Sequence, residues 1–163
     1  MHILSNPSPN HDQRREGATI QWIILHYTAL ENTKTALDWM CDPQKEVSAH
    51  YLLCRTGAIY QLVPDAMRAW HAGVSAWKGE ENLNHTSLGI ELDNNGFEPY
   101  SDIQIEKLLE LLTYLCDTHT IPRAHVLGHQ DIAPTRKIDP GKHFPWDILY
   151  AKGFAGERLK TKL

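Results

Sequence analysis

Two histidines and one aspartate, His26, His129 and Asp139, are the side chains whose types and positions could hold a catalytic metal. His26 closes the β-branched, apolar run TIQWIILH, so a strand there would project its ring from the sheet edge into a cleft. His129 follows Leu127-Gly128 at the end of a second short run, and Asp139 sits beyond it in a loop bearing Pro134, Pro140 and Gly141. Two imidazoles and a carboxylate, with a fourth position left to water, form a workable catalytic zinc site. The prolines lower the entropy lost in holding Asp139 in place. Spacing alone leaves plainer alternatives open. A strand-end histidine is more often a hydrogen-bonded structural residue, and an aspartate before proline is an ordinary turn residue.

These groups need elements to position them. Residues 19–26 read as a buried strand and 33–40 as a short helix closed by Asp42-Pro43. Residues 49–55 and 58–63 read as a hairpin around Thr56-Gly57. Residues 64–86 lack periodicity and hold Trp70, His71, Trp77, Asn84 and His85, which marks a surface segment of the kind that binds. SLGIEL (87–92) reads as another strand. The clearest helix is 101–119, with a capping-box pattern at Ser101 and Gln104 and with Ile105, Leu108, Leu112 and Leu115 on one face. A strand at 124–127 and a helix at 145–150 with proline in its first turn follow. Residues 1–16 read as an irregular N-terminal arm and 153–163 as a loosely held tail. With no repeat and no linker, residues 1–163 form one α/β domain, a single mixed central β-sheet flanked by helices.

A net charge of −4 argues against a nucleic-acid partner, and 42% hydrophobic with 22% charged residues suits a globular domain. Ten histidines are a surplus that fits metal or proton chemistry. Cys41, Cys54 and Cys116 lie in apolar or helical surroundings without a CxxC pair, and read as reduced, buried thiols. No run matches a signal peptide or a membrane span. As written the chain is expected to be a cytoplasmic monomer, or periplasmic if a leader has been removed.

The segments WIILHYTA (22–29), VSAHYLL (47–53), AWHAGVSAW (69–77), LNHTSLGIEL (83–92) and GHQDIAPTRKIDPG (128–141) carry a resemblance. In this order they resemble the type-2 N-acetylmuramoyl-L-alanine amidases, the AmpD/AmiD family, and more distantly peptidoglycan-recognition proteins and T7-type lysozyme. The likeness spans residues 19 to 150. It implies an amidase-2 fold and one zinc ion on His26, His129 and Asp139. It implies cleavage of the amide between L-alanine and the lactyl group of N-acetylmuramic acid, ordinary or 1,6-anhydro. It also implies that Glu91 and Lys137 line the reaction centre. The lysozyme branch has cysteine as its last ligand and tyrosine where this chain has Ala49, so the aspartate places the chain on the AmpD/AmiD side.

Elementary chemistry agrees with that assignment. Zinc lowers the pKa of bound water to about 7, which provides the nucleophile. Glu91 is then the candidate general base and acid, and Lys137 the stabiliser of the oxyanion. Taken singly, each could be a solvated charge. Trp70-His71-Ala72-Gly73 resembles the family's substrate-cleft segment. Trp70 offers a flat apolar face, Gly73 permits close approach, and His71 could bond substrate or assist the oxyanion. A core aromatic is the lesser alternative for Trp70. Asn84 falls where the family contacts the stem peptide, and Arg136 could pair with its carboxylates. His50 and Tyr51 suit packing roles or the support of residues nearer the reaction centre. The expected partners are peptidoglycan and its fragments. A binding module that had lost its metal would show a damaged ligand set, and all three ligands are present. A lytic toxin or phage lysin would share the chemistry but need an export route.

Overall fold

Residues 22–27, WIILHY, are apolar toward both faces, as a strand enclosed between two layers must be. A computed structural model describes residues 1–160. Its strands, in chain order, are β1 (Ile3–Ser5), β2 (His11–Gln13), β3 (Trp22–Tyr27), β4 (Tyr51–Leu53), β5 (Ile59–Gln61), β6 (Met67–Ala69), β7 (Ala76–Trp77), β8 (Glu80–Glu81), β9 (Ser87–Leu92) and β10 (Val126–Gly128). The helices are α1 (Thr33–Cys41), α2 (Asp102–His119), α3 (His129–Ile132), α4 (Trp146–Ala151) and α5 (Gly156–Lys160). Six strands form one mixed sheet in the order β1-β5-β4-β9-β3-β10. The four central to the site, β4, β9, β3 and β10, run parallel to their neighbours within that group, and β5 is antiparallel to β4.

Period-two alternation sorts the side chains between the faces. Ile23, Leu25, Ile90 and Leu92 turn to the back, where Leu108 and Leu112 of α2 cover them. Trp22, Ile24 and Leu127 turn to the front and pack with Trp77, Leu83 and Ile132. A second front cluster joins Leu52 of β4 to Ala36 and Met40 of α1. Between β4 and β3 lies β9, whose front positions are Ser87, Gly89 and Glu91. A polar strip therefore separates two apolar front clusters, and the site forms there.

The helix α2 starts and stops where its sequence says. Ser101 caps it by accepting from the Gln104 backbone N–H, and Thr120 ends it in the left-handed region. The side-chain half of the expected capping box does not form. Gln104 is wholly buried and donates instead to the carbonyls of Leu53 and Asp93, tying α2 to two strand ends. Cys54 and Cys116 are buried, Cys41 is half-buried, and all three are free thiols. Among the described residues no helix is long and apolar enough to cross a membrane.

Residues 1–16 and 153–160 are more ordered than expected. In the segment read as an irregular arm, β1 joins the main sheet parallel to β5, and β2 pairs antiparallel with β6. Arg14 explains the second anchor: its guanidinium donates to the carbonyls of Asp65, Asn84, His85 and Ser87 at 2.8–3.2 Å. Buried carbonyls left without a donor are destabilising. Arg14→Ala is therefore expected to lower stability by about 2–4 kcal/mol, read from the urea midpoint; an unchanged midpoint would make the arm dispensable. At the other end, Phe154 and Ala155 are buried and α5 follows, in place of a loose tail. Arg158 pairs with Asp131 and lies 3.5 Å over the Trp146 ring. Residues 161–163 of the expected tail lie outside the described residues. Residues 64–86 supply β6, β7 and β8 and the buried Trp77 and Leu83, so that segment is partly core.

Candidate metal centre and active site

His26 is the last front-facing residue of β3, and His129 begins α3 directly after β10, the neighbouring parallel strand. Ligand sites in open α/β sheets gather at such carboxyl ends of strands. The loop that carries Asp139 folds back against this edge. Gln130 N–H donates to the Asp139 carbonyl at 3.0 Å, and the Tyr100 hydroxyl donates to the Pro140 carbonyl at 2.7 Å. The Asp139-Pro140 peptide is cis. Glycine is required at 128 because a Cβ there would lie 2.9 Å from Pro140 Cδ.

Three buried ligand atoms meet. His26 Nδ1 is 3.0 Å from His129 Nδ1 and 2.9 Å from Asp139 Oδ2, and His129 Nδ1 is 3.1 Å from that same oxygen. A tetrahedral zinc with ligands 2.0–2.1 Å away has edges of roughly 3.3 Å, so this triangle is near the size of one face. The donor chemistry fits as well. His129 Nε2 faces the carbonyl of Ala72 at 3.0 Å; a carbonyl only accepts, so Nε2 carries the proton and Nδ1 turns a lone pair inward. Burial lowers the His26 pKa to about 4, which keeps that ring neutral. Burial works against ionisation of Asp139, but the contacts with His129 and His26 prevail and hold its carboxyl below the usual range. Neutral imidazoles and an ionised carboxylate are the states a metal requires.

Glu91 is the register partner of His26 across β3 and β9, so both side chains face the front. Burial first, and repulsion from Asp139 second, push its pKa up to about 8, while Lys137 pulls it down. Its Oε2 is buried without a hydrogen-bond partner among the described residues. Lys137 is half-buried on the Asp139 loop, and its charge acts on both His26 and Glu91. Glu91 also borders an apolar recess of about 260 Å³ lined by Leu30, Trp39, Met40 and Val47. A larger cleft of about 940 Å³ is walled by Gly73, Val74, Asn84, Pro134 and Arg136.

The residues expected to touch substrate divide into two groups. Gly73 and Arg136 are exposed on the large cleft, and the Arg136 guanidinium donates to the carbonyls of Ala72 and Val74. Trp70, three residues before Gly73, is half-buried. His71 and Ala72, by contrast, are buried behind the candidate metal ligands: His71 Nδ1 lies 3.0 Å from His26 Nε2, and Ala72 offers its carbonyl to His129. The reason is Asn84, whose Oδ1 accepts from the N–H groups of both His71 and Ala72 and pulls that turn inward. Asn84 is itself buried, with one edge on the cleft. His50 is wholly buried and accepts from Gly89 N–H, a packing role as expected. Sequence reasoning passed over Ser87 and Gly89, although the alternation Ser87-Gly89-Glu91 put both on the site's face.

Residues 16–142 match the family model described as N-acetylmuramoyl-L-alanine amidase. The chain is 39% identical over 162 residues to the N-acetylmuramoyl-L-alanine amidase AmiD of Escherichia coli K12, covering 87% of this chain but only 58% of AmiD. It is 36% identical over 162 residues to the 1,6-anhydro-N-acetylmuramyl-L-alanine amidase AmpD of Enterobacter cloacae, covering 89% of this chain and 87% of that protein. Among solved structures it is similar to E. coli AmiD bound to anhydro-N-acetylmuramic acid-L-Ala-D-γ-Glu-L-Lys. That match has a TM-score of 0.77 and 38% identity, and covers 87% of this chain and 61% of the AmiD chain. Family match, sequence identity and shared fold agree, and the chain belongs to the N-acetylmuramoyl-L-alanine amidase family.

Proposed function

We propose that this protein hydrolyses the amide between L-alanine and the lactyl group of N-acetylmuramic acid in peptidoglycan or its fragments, with one zinc ion held by His26, His129 and Asp139. The observation that carries the proposal is that these three side chains offer ligand atoms within 4.8 Å of one another, on the sheet face that also bears Glu91. The family membership and the anhydromuramyl peptide seen in the AmiD structure support the choice of substrate.

Zinc held there supplies a Lewis acid and lowers the pKa of water that it binds to about 7. Glu91 takes the proton from the attacking water and passes it to the departing alanine nitrogen. A positive charge beside Glu91 favours its ionised form, and Lys137 already acts in that direction. As the carbonyl oxygen gains charge, the Lys137 ammonium stabilises it from a loop braced by the Gly141 and Gln130 backbone bonds. The exposed Arg136, on the wall of the large cleft, is placed to meet a stem-peptide carboxylate. The apolar recess beside Glu91 takes uncharged parts of the substrate. Acting singly on these fragments, the protein needs no second copy to complete the site.

Lys137→Ala is expected to lower kcat about a hundredfold and to change KM little, because the charge acts on the transition state. A raised KM with unchanged kcat would make Lys137 a binding residue. The overall proposal is tested by mass spectrometry of products from anhydro- and reducing-end muropeptides incubated side by side. Release of the intact stem peptide beginning at L-alanine is the expected result; cleavage within the peptide, or none, would overturn it.

A further inference from the structure

We infer that His71 is a positioning residue whose hydrogen-bond chain to Ser87 fixes the tautomer of His26 and so sets the affinity of the metal site. The chain begins at the carbonyl of Leu83, which can only accept. Ser87 Oγ lies 2.5 Å from it and therefore donates its proton there. The same oxygen lies 3.2 Å from His71 Nε2 and now has only lone pairs to offer, so His71 Nε2 carries a proton. A neutral imidazole protonated on Nε2 presents a lone pair at Nδ1. That lone pair faces His26 Nε2 at 3.0 Å, so His26 donates from Nε2 and turns its own Nδ1 lone pair toward His129 and Asp139. Each link has one consistent direction, from the sheet backbone to the ligand atom.

The fold makes room for this chain. A Cβ at Gly89 would stand 2.4 Å from His71 Cγ, so the ring rests flat against β9 only because position 89 has no side chain. Ser87 below it and Glu91 above it share that face. The Asn84 side chain fixes the His71 backbone from the opposite side. His71 is thus held by groups independent of the three ligands, which distinguishes a support from a bystander.

The inference rests on the zinc site proposed above, and two readouts separate their failures. The first is the zinc dissociation constant, measured by competition with a chromogenic chelator. Ser87→Ala and His71→Ala are expected to weaken zinc binding about tenfold to a hundredfold, the span of such supporting partners. His71→Asn is expected to recover most of the affinity, because its Oδ1 can accept where His71 Nδ1 did. Wild-type affinity in both alanine variants, or no difference between His71→Ala and His71→Asn, would overturn the inference. The second readout is the pair of ring-nitrogen chemical shifts of His71 in unmodified, zinc-loaded protein. A proton on Nε2 and an accepting Nδ1 are expected; a proton on Nδ1 overturns the inference even if no variant folds. A wild-type protein that binds no zinc would instead remove the metal site itself.

Discussion

Asp139→Ala is expected to lower amide hydrolysis by more than a hundredfold, and thorough chelation of the unmodified enzyme to bring it to background, with added zinc rescuing the second and not the first. Asp139 is the one anion of the three ligands, and its Oδ2 is shared between the two imidazoles at 2.9 and 3.1 Å. A dication placed among neutral groups in a buried site is strongly disfavoured unless charge compensates it. Supporting partners alone account for about 10–100-fold in metal affinity, so loss of a direct ligand exceeds that range. Zinc on the proposed site would bind only the folded arrangement, because the unfolded chain scatters residues 26, 129 and 139. Saturating metal at about a hundred times its dissociation constant should therefore add about 2.7 kcal/mol to stability, and Asp139→Ala should lose that increment. Rates are followed by peptide release and metal content by elemental analysis. Full activity in protein stripped of metal would end the metal mechanism.

Strand ends, read from apolar runs bounded by glycine and proline, made His26, His129 and Asp139 candidates, but spacing left structural and turn roles open, and the resemblance to the amidases is what singled the three out. The central strands and α2 were legible because each lies in an apolar or periodic run bounded by turn residues, even where the strand itself is short, as in β4, β5 and β10. The two strands of the N-terminal arm lie in no such run. Among β1 and β2 only Ile3 and Leu4 are strongly apolar, and their order comes from pairing with β5 and β6 and from the reach of Arg14 across the chain. The tail failed likewise: Phe154 and Ala155 are two residues, too few to show periodicity, yet they enter the core. His71 was misplaced for a different reason. Whether a histidine in an irregular loop faces solvent or sheet depends on what stands opposite. The gap at Gly89 becomes visible only once β9 is set in register beside β3. Likewise Gln104 was matched to its nearest sequence partner, whereas buried carbonyls at Leu53 and Asp93 made the stronger claim.

Glu91→Gln is expected to lower kcat by about two to four orders of magnitude while zinc stays bound. Glutamine keeps the shape of the side chain but cannot exchange a proton, and Glu91 lies outside the three-ligand cluster. The same substitution is expected to stabilise the zinc-free protein at alkaline pH. The Glu91 carboxyl is raised from 4.5 to about 8, by burial first and by the Asp139 charge second. A carboxyl with a raised pKa binds its proton more tightly folded than unfolded, so wild-type stability falls as pH climbs from 4.5 toward about 8 and levels off above that. Glutamine has no charge to bury and escapes the decline. Near pH 9 the variant should exceed wild type by about 1–3 kcal/mol, or several degrees in Tm, and the gap should close below the unfolded pKa of the acid. Equal melting at high pH would place the carboxylate in water and remove the desolvation that makes it a strong base. If both arms hold, a group that weakens the resting fold is retained for the reaction it performs. Its unpartnered Oε2 is then the acceptor that awaits the proton of the attacking water.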